Sequence, residues 1–145
     1  MEIAMTLDVS QALLKEIHVH GEDSYPEEGA GLLLGVLDGE NKLVIRLLSL
    51  ENAREDSARY NRYLLTPEDY LRGELEASRL GLDVLGVFHS HPDHPNQPSE
   101  FDREWAMPWF SYVITSVYAG KSVESRSWLL HEDRTHFIEE AIRSS

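Results

Sequence analysis

Cysteine is absent from the 145-residue chain. That excludes disulfides, Cys–His catalysis and thiolate metal sites, and leaves His, Asp and Glu to hold any metal ion. Long hydrophobic runs are absent too. The longest, residues 31–37 and 84–88, fall far short of the roughly 20 residues a membrane-spanning helix needs. The first residues, MEIAMTLDVS, lack the basic-then-apolar order of a secretory leader. A cytoplasmic location with no membrane partner is therefore expected. Positive charge is scarce: 13 Lys and Arg stand against 26 Asp and Glu, a formal charge of −13. This argues against a nucleic-acid partner, which needs a basic footprint. The excess acid reads as a solvated surface, with attraction to a basic partner as the alternative. Repeats, low-complexity stretches and linkers are also missing, so one domain over residues 1–145 is expected. Its 41% hydrophobic content is enough for a proper core.

What is present is a sequence of helix and strand signals. Asp8 or Ser10 can cap a helix carrying Ala12, Leu13, Leu14 and Ile17, stopped by residues 21–26. Residues 29–37 read as a buried strand, and Asp38-Gly39-Glu40-Asn41 as a turn into a second strand over 42–50. The polar stretch 51–63 reads as a surface loop suited to recognition. Thr66-Pro67-Glu68-Asp69 is a helix start, and Gly81 its end. A strand over 83–91, a short helix from Ser99 to about Met107, and a hairpin over 111–118 and 122–131 follow. Residues 136–142 close the chain as an extended or helical piece. Strands and helices alternate while two hairpins are present, so the fold class is α/β with a mixed sheet flanked by helices.

The chemistry concentrates in GVFHSHPDHPNQPSEFD, followed at once by RE. His89 and His91 are two apart at a strand end, so their imidazoles project on the same side and can chelate one ion. An isolated His-x-His would be an ordinary polar strand end. Here Pro92, Pro95 and Pro98 stiffen the loop that follows, reducing the entropy lost in fixing its far end. Ser99-Glu100-Phe101-Asp102 is a helix cap that can return a carboxylate to the two histidines. Two His and one Asp leave one position for water, the ligand count of a catalytic zinc site.

His89-Ser90-His91-Pro92, five residues, then Pro98-Ser99-x-x-Asp102 resembles the JAMM motif of the MPN+ metalloproteases. Upstream, Tyr25-Pro26-Glu27-Glu28-Gly29-Ala30 resembles that family's Pro-x-Glu segment, with Gly29 and Ala30 where the family often has cysteine. The resemblance runs from about residue 7 to 138 and implies an MPN/JAB-like, cytidine-deaminase-like architecture. It implies that His89, His91 and Asp102 bind one zinc ion per chain, that Glu28 is the general acid/base, and that Ser99 stabilises the oxyanion. Glu27 is the rival to Glu28; the Pro-x-Glu spacing selects Glu28. The implied activity is a zinc-dependent isopeptidase or metallopeptidase, using Glu-assisted attack of zinc-activated water. The implied substrate partner is a ubiquitin-like or sulfur-carrier protein, cut after its C-terminal Gly-Gly. Its extended tail could add to a sheet edge beside the zinc.

Two other classes are weighed: a non-catalytic MPN-type interaction module, and a zinc amidohydrolase acting on small molecules. The intact set of Glu28, His89, His91, Ser99 and Asp102 discriminates against the first. The remaining side chains have plainer expected roles. His94 is expected to be exposed, and His18, His20, His131 and His136 to serve surface or packing roles without ligand partners. Ser90 should face away from its flanking histidines. Phe101, Trp105, Trp109 and Phe110 are expected to bury the short helix, with a groove wall as the alternative.

Overall fold

Local capping chemistry starts each helix. In the computed structural model, which describes residues 6–50 and 65–144, the Ser10 hydroxyl accepts from the Leu13 amide and opens α1, Gln11–Ser24. Thr66 and Asp69 form a reciprocal capping box ahead of α2, Pro67–Leu80. That helix ends on Gly81 at φ 71°, a left-handed conformation that glycine adopts without a steric penalty. Ser99 and Asp102 form a second capping box on α3, the six-residue helix Glu100–Trp105. The expected recognition loop over 51–63 lies outside the described residues.

The strands are β1 Thr6–Asp8, β2 Ala30–Asp38, β3 Asn41–Leu50, β4 Asp83–Pro92, β5 Ser111–Tyr118, β6 Lys121–Leu130 and β7 Phe137–Arg143. The two expected hairpins form, and the last segment is a strand. β4 pairs antiparallel with β2 and parallel with β5, so the sheet is mixed. The short β1 pairs in parallel with both β3 and β7, closing the order β1-β3-β2-β4-β5-β6-β7 into a barrel. The closure is narrow, since β1 meets β3 only at Lys42 and Leu43.

Apolar side chains divide between two clusters. Leu32, Leu34, Val87 and Tyr112 pack with Ala77 of α2. Leu33, Val44, Phe88 and Val113 pack with Ile17 of α1. Helix α1 lies close to the sheet at Gly21, where an added Cβ would stand 3.1 Å from both the Ser90 Cβ and a Val117 methyl. No described helix is long and apolar enough to cross a membrane.

The expectation that the aromatics bury α3 is corrected. No residue of α3 is buried, and Trp105 and Trp109 are 58% and 45% exposed. Phe101 and Trp105, four apart on one helix face, have ring centroids 6.2 Å apart. They overhang a cavity instead of entering a core. Trp109 lies in the link to β5, where the Lys42 ammonium sits 4.6 Å from its ring centre. Phe110 is half-buried against Tyr70 and Tyr112.

Lys42 itself is fully buried. Its ammonium donates to the Trp109 carbonyl at 2.7 Å and to the Ser111 hydroxyl at 2.9 Å. Ser111 and Ser127 in turn donate to one Glu140 oxygen at 2.8 and 2.7 Å. A polar network thus ties β3, β5, β6 and β7 together. Burial lowers the lysine pKa, against the opposing charge of Glu140.

Candidate metal centre

Strand pairing brings the first carboxylate to the histidines. Ala30 of β2 is the partner of His89 on β4, and the pairing continues one step outward. The Ser90 amide donates to the Gly29 carbonyl at 2.9 Å, and the Gly29 amide donates to the Ser90 hydroxyl at 2.8 Å. Ser90 therefore faces away from the histidines, as expected, and anchors the segment that carries Glu28. That anchoring role was legible only as strand parity. Glu28 is buried and its carboxylate lies 3.8 Å from His89 Nδ1. Glu27 is half-buried.

Capping brings the second carboxylate. The Ser99 amide donates to Asp102 Oδ2 at 2.7 Å, while the Asp102 amide donates to the Ser99 hydroxyl at 3.1 Å. The same Asp102 oxygen lies 3.3 Å from His91 Nε2, and its other oxygen lies 3.9 Å from His89 Nδ1. One four-residue signal thus starts a helix and aims a carboxylate. The hydroxyl of exposed Ser99 accepts from the helix and keeps its own proton to donate.

The two imidazoles have ring centres 5.0 Å apart. His91 Nδ1 lies 2.9 Å from the Pro95 carbonyl oxygen, which can only accept. In the neutral ring Nδ1 therefore carries the proton and Nε2 presents its lone pair towards Asp102. Pro95, read in the sequence only as a loop stiffener, thereby also sets the orientation of His91. His89 Nε2 is a buried nitrogen with no hydrogen-bond partner among the described residues.

Electrostatics follow from this crowding. Burial pushes the His89 pKa down to about 4, with Asp102 opposing it and His91 adding to the effect, which favours the neutral ring with one nitrogen lone pair available to a metal. Burial also disfavours the charged form of His91, but the hydrogen bond and charge of Asp102 outweigh it and raise its pKa. For Asp102 burial acts upward, and His89, the His91 hydrogen bond and the Ser99 amide overcome it. They hold the carboxyl well below the usual carboxylate range.

Donor atoms from Glu28, His89 and His91 all lie within 4.8 Å of one another, and Asp102 borders both histidines. Two imidazoles with adjacent carboxylates form a nitrogen–oxygen donor set that fits a divalent transition ion. The five residues singled out in the sequence are thus brought to one place. The other histidines are not. His94 is exposed, His18 pairs with Ser125, and His20 packs edge-on against Phe88. His131 and His136 stack on each other at 4.8 Å, a partnership across the β6–β7 turn that the sequence reading did not foresee.

Beside the cluster lies a cavity of about 80 Å³ bounded by Val87, His89, Asp102, Trp105, Ala106 and Tyr112. Trp105 thus takes the groove-wall role that was the alternative to burying the helix.

Replacement of Ser99 by Ala is expected to remove the donating hydroxyl and the cap together. The cap loss should cost about 1 kcal/mol, read by urea denaturation. The rate loss should be smaller than that of Glu28→Gln, and an unchanged rate would remove Ser99 from the site.

The family profile described as prokaryotic homologues of the JAB domain matches residues 10–131. A probable TtuB-protein conjugate cleaving protease of Thermus thermophilus is 30% identical over 118 residues, covering 79% of this chain and 75% of that protein. A desampylase of Pyrococcus furiosus is 28% identical over 98 residues, covering 68% of this chain and 66% of its own. The solution structure of a Desulfitobacterium hafniense protein superposes with a TM-score of 0.82 at 31% identity, covering 97% of this chain and 92% of that one.

Proposed function

We propose that this chain, which belongs to the prokaryotic homologues of the JAB domain, is a zinc-dependent peptidase or isopeptidase. The amide it cuts follows the C-terminal Gly-Gly of a ubiquitin-like or sulfur-carrier protein. The observation that carries this reading is the buried convergence of Glu28, His89 and His91, with Asp102 held against both imidazoles. Relatives named as a conjugate-cleaving protease and a desampylase support the substrate class.

His89, His91 and Asp102 would hold the ion, and Glu28, the remaining carboxylate of the cluster, would work as general acid/base. A zinc ion bound there supplies a Lewis acid, which makes water a competent nucleophile near neutral pH and polarises the amide carbonyl. Glu28 takes the proton of the attacking water and delivers it to the departing nitrogen as the C–N bond breaks. The Ser99 hydroxyl donates to the developing oxyanion. Pro95 keeps the His91 ring in its ligating tautomer. Water adds directly, so no acyl-enzyme forms.

His89→Ala and Asp102→Ala are each expected to lower the zinc content after metal loading, read by elemental analysis. Unchanged zinc in both variants would defeat the ligand assignment. The substrate reading is tested with zinc-loaded protein and a linear fusion ending in Gly-Gly before a reporter, with and without chelator. Cleavage after Gly-Gly that chelator abolishes is expected. A matching Gly-Val tail should be turned over far more slowly if the tail is read as Gly-Gly. Equal rates for the two tails would leave a peptidase without Gly-Gly selectivity.

A further inference from the structure

The cavity beside His89 is lined by Val87 and His89 of β4 and by Phe101, Asp102 and Trp105 of α3. Val87, Ala106 and Tyr112 line its depth and are 3%, 3% and 8% exposed. Tyr70, Phe101 and Trp105 stand nearer its mouth, the first two half-buried and Trp105 exposed. Its volume, about 80 Å³, is several times the ~10–15 Å³ that one water requires. His89 and Asp102, both members of the cluster, are its polar ionisable neighbours. The two tyrosines are held neutral by burial, Tyr70 with its pKa raised to about 12.

This step rests on the Gly-Gly reading above. Glycine on the acyl side has no side chain to place in an adjoining pocket. A cavity that touches two members of the cluster is then open to the side chain of the group that leaves. We propose that this cavity selects an uncharged, apolar side chain on the residue immediately after the scissile bond, of about leucine or methionine size. The preferred substrate is then a linear amide in which an α-amine departs. The buried lining favours this occupant over the lysine of an isopeptide. A side chain that ends inside the cavity covers Val87, Ala106 and Tyr112 and displaces their water. A lysine stem must turn back out to its own main chain and leaves that lining wet.

The test uses zinc-loaded protein and one carrier ending in Gly-Gly-X-reporter, with X as Leu, Met, Ala or Asp, beside a Gly-Gly conjugate on a lysine side chain. Leu and Met should exceed Ala in kcat/KM by about tenfold, the usual discrimination of an apolar pocket, and Asp should be slowest. Trp105→Ala removes an exposed wall and should not disturb folding; Ala106→Leu fills the depth. Both should shrink the Leu-to-Ala ratio to about two or less. In metal-free protein, leucine amide should change tryptophan fluorescence at lower concentration than aspartate amide, and Trp105→Ala should abolish that difference. Equal rates for Leu, Ala and Asp, or a ratio unmoved by both variants, would overturn the pocket while the Gly-Gly reading stands. A lysine conjugate cut faster than the Leu substrate would do the same. No turnover anywhere in the series would overturn both.

Discussion

Glu28→Gln is expected to leave the fold and zinc content intact and to lower hydrolysis by about 10²- to 10⁴-fold, the usual contribution of a positioned acid/base group. The substitution keeps size and shape in a site where Glu28 is only 7% exposed, so packing is preserved. It removes the one property the reaction draws on, a carboxylate that accepts and returns a proton. Metal retention separates the two roles open to this residue, because Glu28 lies as near His89 as Asp102 does, at 3.8 against 3.9 Å. Zinc lost from Glu28→Gln as it is from His89→Ala would make Glu28 a ligand and void its acid/base role. Glu27→Gln should be mild, since its half-buried neighbour position takes no part in the cluster. An inactive Glu27→Gln beside an active Glu28→Gln would reverse the assignment.

The legible parts of this molecule are those whose cause is local. Ser99-x-x-Asp102 and Thr66-x-x-Asp69 both become capping boxes, because the donor and acceptor lie within one turn of chain. His89 and His91 share a face because strand parity demands it. Glu28 is a different case. Nothing in its own neighbourhood aims it at His89; that requires β2 to pair with β4 across 58 intervening positions, at Ala30 and His89. Only the resemblance to a known motif could name it in advance. Barrel closure was illegible for a similar reason. It depends on β1, three residues long, too short to display a period, pairing with partners far along the chain. For Trp105 the groove-wall alternative holds over burial, because hydrophobicity predicts burial on average, whereas a six-residue helix at a cavity mouth has one face with nothing to bury against.

Removal of Lys42 should have the largest effect on stability. Lysine is seldom fully buried, yet here it is one of the largest fully buried side chains. It donates two hydrogen bonds, and Ser111 relays it to Glu140, whose Oε2 has no hydrogen-bond partner among the described residues. Lys42→Ala leaves the Trp109 carbonyl and Ser111 hydroxyl without their donor and Glu140 without a nearby cation in a closed interior. Such a loss costs about 3 kcal/mol, seen as a lower urea midpoint at an unchanged m-value. Removing the stranded charge as well should recover part of that cost. The double variant Lys42→Ala/Glu140→Gln is therefore expected to be less destabilised than the sum of its single changes. Strict additivity, or a Lys42→Ala effect below about 0.5 kcal/mol, the range of ordinary surface changes, would show that the network does not hold the barrel. Zinc binding by the folded fraction should stay unchanged throughout, because Asp102 is aimed by its own capping box and His91 by Pro95, neither of which touches Lys42.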